Sequence, residues 1–219
     1  MKVVIRERYL NQIRPHYDID IIKVLIGIRR SGKSELVKQI IGDLSNSGIN
    51  SNQIIYINFE DMRNEELLDY KELNKHLIRS LDKTYKTYIF LDEIQYVFNF
   101  EKVISSLKAT ENVSIFITGS SSSIVSGELA TLIGGRYVSF TIQPLSFDEF
   151  YSLNEFNQTS NKEEAFNTYL KWGGLPQVYQ YKDENGIIAY LNDVYDSIVI
   201  KDILNRTEKK NYNLLKKFL

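Results

Sequence analysis

Gly27, Gly32, Lys33 and Ser34 stand in the order G-x-x-x-x-G-K-S within GIRRSGKS, a set of residue types suited to holding phosphate. Glycine at 27 lets the chain turn sharply, and glycine at 32 brings the backbone close to an anion with no Cβ in the way. Successive N–H groups can then converge on that anion at the start of a helix, whose dipole favours negative charge. Lys33 offers a point charge to the β- and γ-phosphates, and the Ser34 hydroxyl is a hard oxygen for a Mg²⁺ that bridges them. The spacing predicts a Walker A phosphate loop with ATP and Mg²⁺ as its ligands, lined by Gly27, Ile28, Arg29, Arg30, Ser31, Gly32, Lys33 and Ser34.

A second set lies about 60 residues on, where YIFLDE closes four apolar residues with two carboxylates, the Walker B pattern. Asp92 at the strand tip is expected to hold Mg²⁺ through water. Glu93, pointing to the other side of an extended chain, is expected to orient and deprotonate the attacking water. Further on, VSIFITGSSSS ends a fourth apolar run in hydroxyls. In folds of this kind the fourth strand lies between the first and third, so Thr118 or Ser120 is the candidate sensor of the γ-phosphate; alternatively the serines only cap the next helix. Arg136, after that helix, is a candidate to reach a γ-phosphate. Lys33, Glu93, Thr118, Ser120 and Arg136 are thus the expected catalytic set, and Ser34 and Asp92 the metal ligands.

Periodicity supplies a scaffold for these groups. Val24, Leu25, Ile26 and Ile28 read as a buried strand before the loop, and Leu36, Val37, Ile40, Ile41 and Leu44 as one helical face after it. Further strands are predicted at Ile54–Phe59, Tyr88–Asp92, Val113–Ile117 and Tyr137–Ile142. Glu60 and Asp61 end the second strand, where they either line the site or cap the next helix. Leu67 to Leu81 read as one helical face, Phe100–Ala109 as another, and residues 120–132 as a third. Arg6 to Arg14 suit a short helix ended by Pro15, with Tyr9 or Arg6 stacked on a base or the helix simply covering the sheet. Ser146 and Glu149 form a capping box after Pro144, and Gly48 is a C-cap. Helices are predicted at 162–171 and 187–204, separated by WGGLP. The boundaries are a core over 1–153, a helical addition over 154–206 and a further segment from 207.

Composition narrows the partners. The 219 residues carry no cysteine, two histidines far apart and a formal charge of −1, which leaves disulfides and transition-metal sites without ligands and gives no global field for nucleic acid. The N-terminus is too short and charged for a signal peptide and no run approaches a membrane span, so a cytoplasmic protein without a membrane partner is expected. Adjacent Asp92 and Glu93 argue against a small-molecule kinase, and no N-K-x-D guanine motif is present.

The ordered set GIRRSGKS, YINFED, YIFLDEIQ, IFITGSSS, GGR, PLSFDEF and WGGLP resembles the prokaryotic AAA-type predicted ATPases (AAA_14) that carry a C-terminal DUF4143 domain. The resemblance implies an α/β, ASCE-type P-loop NTPase with a parallel five-stranded sheet of order 5-1-4-3-2, helices on both faces and a small C-terminal helical lid. It gives Arg136 an arginine-finger-like role, which in such assemblies serves a neighbouring subunit and so implies a homo-oligomer. It also makes EKKNYNLLKKFL at the end of the chain the opening of a winged-helix segment, so that a DNA or protein partner would be met through a part beyond Leu219. An ATP-hydrolysing domain is the first expectation. A regulatory module that binds ATP and turns it over slowly is the alternative.

Overall fold

Five apolar runs become the strands of one parallel sheet in the computed structural model of the protein, which describes residues 3–120, 135–152 and 161–198. They are β1 (Ile22–Ile26), β2 (Ile54–Asn58), β3 (Thr87–Asp92), β4 (Val113–Gly119) and β5 (Tyr137–Thr141). Their order across the sheet is β2-β3-β4-β1-β5, the order expected. Residues 121–134, which hold the expected third helix, lie outside the described residues, as do 153–160 with the expected boundary at 154, and the segment from 199 with Lys209, Lys210, Lys216 and Lys217.

Period-2 alternation sends each strand's side chains to two different cores. Ile22, Val24 and Ile26 face one with Ile89, Leu91, Ile115 and Ile117, closed by Leu73 and Leu77 of α3 (Tyr70–Ser80) and Val103, Ile104 and Leu107 of α4 (Phe100–Thr110). Leu25, Phe90, Phe116 and Phe140 face the other, closed by Leu36, Val37 and Ile40 of α2 (Lys33–Asn46) and Tyr9, Leu10 and Ile13 of α1 (Glu7–Ile13). Tyr9 is buried there with the Arg6 guanidinium 4.7 Å from its ring centroid. α1 is therefore a cover for the sheet. The face expected to run from Leu67 to Leu81 is broken, because the Asp69 carboxylate accepts from the Lys71 and Glu72 amides and starts α3 afresh. Residues before it, Met62–Leu68, form a 3₁₀ helix capped by Asp61, which settles that residue as a cap.

These elements form one of two compact units, Ile5–Gly27 with Lys33–Ile142; the other joins Ile28–Gly32 to the described residues from Gln143 onward, with Val3 and Val4. In the second unit α5 (Phe147–Tyr151) opens on the expected Ser146–Glu149 capping box. α6 (Lys162–Trp172) ends at Gly173, whose φ of +76° few side chains tolerate. At Gly174 a Cβ would lie 2.1 Å from the Leu145 carbonyl oxygen. The paired glycines of WGGLP thus have separate reasons. α7 (Glu184–Ile198) packs Ile187, Tyr190 and Val194 on Val178.

One cation is buried in the sheet. Lys23 of β1 is fully buried, and its Nζ donates to the Ile19 carbonyl at 2.8 Å, Ser114 Oγ at 2.9 Å and the Tyr17 carbonyl at 3.4 Å. Burial pushes its pKa down to about 8 from 10.5. The folded chain therefore binds fewer protons between these values, and the contribution of Lys23 to stability is full above the unfolded pKa and lost as the pH falls through about 8. Urea denaturation is expected to show stability rising from about pH 8 towards pH 10, and Lys23→Met to lose most of that slope.

Candidate functional site

The strands stop together at one edge, and the polar residues begin there. β1 ends at Ile26, and the chain turns through residues 27–32 into α2, which begins at Lys33. Two positions in this turn have positive φ, Arg30 at +65° and Gly32 at +95°, with Ser31 between them outside that region. Within the turn the Ser31 N–H donates to the Ile28 carbonyl at 3.2 Å. Gly32 suits its position, whereas Arg30 is a residue for which the left-handed region is uncommon. Ile28, expected to extend the buried strand, lies outside it and is 38% exposed.

Lys33 is only 4% exposed, and its Nζ lies 3.3 Å from the Gly27 carbonyl oxygen and 3.5 Å from Glu93 Oε1. The phosphate-loop lysine and the second Walker-type carboxylate of the sequence are therefore brought together. Glu93 Oε2 accepts from Gln95 Nε2 at 2.5 Å, so both carboxylate oxygens have partners. Glu93 is not on an extended chain as expected, because β3 ends at Asp92 and Glu93 has left-handed φ and ψ of 57° and 46°. The turn folds its side chain back towards Lys33.

Asp92, with no solvent exposure, is gripped from both neighbouring strands. The Tyr56 hydroxyl of β2 donates to Oδ2 at 3.0 Å, and the Thr118 hydroxyl of β4 donates to Oδ1. Thr118 Oγ1 also accepts the Glu93 N–H at 2.9 Å. Of the two sensor candidates, Thr118 is thus committed to holding the Asp92–Glu93 pair. Ser120 is buried just past the end of β4. Ser34, in the first turn of α2, is half-buried.

Arg136 is not with them. It is exposed, and its carbonyl accepts the Ile22 N–H at 3.0 Å at the opposite edge of the sheet, so the length of β1, about 17 Å at strand rise, separates it from the loop of its own chain. The sheet therefore does not bring Arg136 together with Lys33, Asp92 and Glu93.

Sequence reasoning missed Tyr56, Gln95 and the environment of Arg30. In the second unit the Arg30 guanidinium donates to Gln177 Oε1 at 2.8 Å and lies 5.0 Å from the Tyr190 ring centroid, while the Tyr190 hydroxyl donates to the same Gln177 oxygen at 2.9 Å. Gln180 and Tyr181 complete the lining of a cavity of about 370 Å³. Only Gln95, as part of YIFLDEIQ, carried a signal in the sequence.

A family model described as AAA domain matches residues 20–151. An uncharacterized protein of Haemophilus influenzae is 38% identical over 216 residues, 98% of this chain and 54% of that protein. One of Methanocaldococcus jannaschii is 37% identical over 204 residues, 89% of this chain and 44% of that protein. The chain thus spans about half the length of the curated relatives it matches. Among solved structures, Saccharomyces cerevisiae Hsp104 in a casein complex aligns with a TM-score of 0.59 at 11% identity over 99% of this chain and 45% of that one. The Aeropyrum pernix ORC1 protein in complex with DNA aligns at 0.51 and 12% identity over 94% and 70%. At these identities the likeness is one of fold, that of P-loop NTPases.

Thr118→Val leaves a buried Asp92 oxygen and the Glu93 N–H without their partner, and is expected to cost about 1–3 kcal/mol in denaturant unfolding. Thr118→Ser keeps the hydroxyl and is expected to recover most of it.

Proposed function

Because the chain belongs to the AAA domain family, we propose that it binds ATP with Mg²⁺ and hydrolyses the terminal phosphoanhydride. The observation that carries the reading is a buried lysine at the head of α2, ion-paired to Glu93 with Asp92 beside it at the end of β3. The residues fit both ligands: the Lys33 ammonium at the head of α2 suits a triphosphate, and the Ser34 hydroxyl and Asp92 carboxylate are hard oxygens suited to Mg²⁺. When bound, the metal neutralises charge on the β- and γ-phosphates.

Lys33 has two partners to choose between. Without phosphate it neutralises Glu93. With phosphate it turns to the anion, and Glu93 Oε1 is released to accept a proton from water while Gln95 keeps hold of Oε2. The water oxygen bonds to the γ-phosphorus, the bond from that phosphorus to the β,γ-bridging oxygen breaks, and ADP and phosphate leave. Thr118 maintains the relative orientation of the two carboxylates.

The low-turnover regulatory reading has one observation in its favour, the separation of Arg136 from the loop of its own chain. We reconcile the two readings by assigning Arg136 to the nucleotide of a neighbouring copy, with turnover low until copies associate. The protein is then a cytoplasmic homo-oligomer when active. Its longer relatives leave room for a DUF4143 region, and a DNA or protein partner is assigned to that part, with the lid role given to the helices from 161 onward.

Lys33→Ala is expected to abolish binding of a fluorescent ATP analogue with Mg²⁺, whereas Glu93→Gln keeps binding and stops phosphate release. Equal binding by both variants and the parent would refute the site.

Arg136→Ala is expected to lower steady-state phosphate release by on the order of 10³-fold, the scale of an arginine finger. Mixed with Glu93→Gln at concentrations where the protein is oligomeric, it is expected to regain activity. Absence of rescue there would show that Arg136 is only a surface residue.

A further inference from the structure

Tyr56 is an odd residue for its place. It sits in the middle of β2, an edge strand, opposite Phe90 of β3, yet it belongs to neither core and is 37% exposed. Its ring is not what the fold uses. Its hydroxyl reaches across the sheet to Asp92 Oδ2 at 3.0 Å. Period 2 explains how: Tyr56 shares a face with its partner Phe90, and Asp92, two residues after Phe90, shares it too. On the far side Leu91 is paired with Ile117, so Thr118 stands beside Asp92 and takes Oδ1. All three lie on the face that α2 covers.

We infer that Tyr56 is a positioning residue for the metal: with Thr118 it fixes the Asp92 carboxylate in the orientation in which it holds Mg²⁺. This rests on the proposed role of Asp92 as a Mg²⁺ ligand. A carboxylate oxygen has two acceptor sites. The clamp takes one on each oxygen, stops the carboxylate rotating, and leaves one on each for the metal or its water. Partners of this kind, one bond behind the ligand, are what orient a ligand and sharpen its affinity. Thr118 also serves the Glu93 backbone, whereas Tyr56 serves Asp92, so its removal isolates the metal ligand from the rest of the site.

The test is Tyr56→Phe in the full chain, read by affinity for a fluorescent ATP analogue over a Mg²⁺ series and in EDTA, with no turnover needed. The Mg²⁺ midpoint is expected to rise about tenfold, with affinity in EDTA unchanged. In an Asp92→Asn background Tyr56→Phe is expected to add nothing, since the two groups act as one. An unchanged midpoint, an equal loss with and without Mg²⁺, or additivity with Asp92→Asn overturns the inference. Additivity also decides the case if Tyr56→Phe lowers the melting temperature. A parent that binds no nucleotide overturns the underlying reading, and this inference with it.

Discussion

β1 is hydrogen-bonded along both edges, to β4 and to β5, and covered on both faces by apolar cores. A strand in that position has no free edge and no solvated face, so β1 can present polar groups only where it stops. Lys33, Asp92, Glu93 and Thr118 come together beyond that end of the strand. Where a polar group there is buried, it must find a partner or cost several kcal/mol. Asp92 is the sharpest instance, fully buried and bonded from the strands on either side.

The same constraint governs the rest of the site. Lys33 is almost entirely buried and is balanced by Glu93, and Glu93 by Lys33 and Gln95. The lysine at the head of α2 is therefore balanced by a carboxylate from the end of β3. The left-handed turn at Glu93 makes this pairing geometrically available, since it redirects the chain after the last strand residue. At the other end of β1, Lys23 meets the same burial problem with two backbone carbonyls and a serine.

What could be read from the sequence is what depends on local spacing. The loop from Gly27 to Ser34, the five apolar runs, the capping box at Ser146 and the carboxylates after YIFL are patterns within a few residues of one another. What could not be read depends on register between distant strands. Nothing near Tyr56 announces that its hydroxyl will meet a carboxylate 36 residues away, because that depends on the pairing of Tyr56 with Phe90. Left-handed conformations at Arg30 and Glu93 are invisible for a related reason, since neither residue type requires them. The break at Asp69 is legible as a cap but apolar spacing outweighs it, and chain proximity misplaces Arg136, whose strand enters from the opposite edge.

The sheet order has a kinetic side. Lys23 pairs with Phe116, and Ile22 with Tyr137, partners 93 and 115 positions later in the chain. β1 therefore cannot be fixed until β4 and β5 exist and long loops have closed. During synthesis β2 and β3 have each other, while the apolar residues of β1 wait without either neighbour. β1 is then made before either of its neighbours and can be set in place only after them. For that interval it is an unpaired hydrophobic strand, open to non-native pairing of the kind that leads to aggregation.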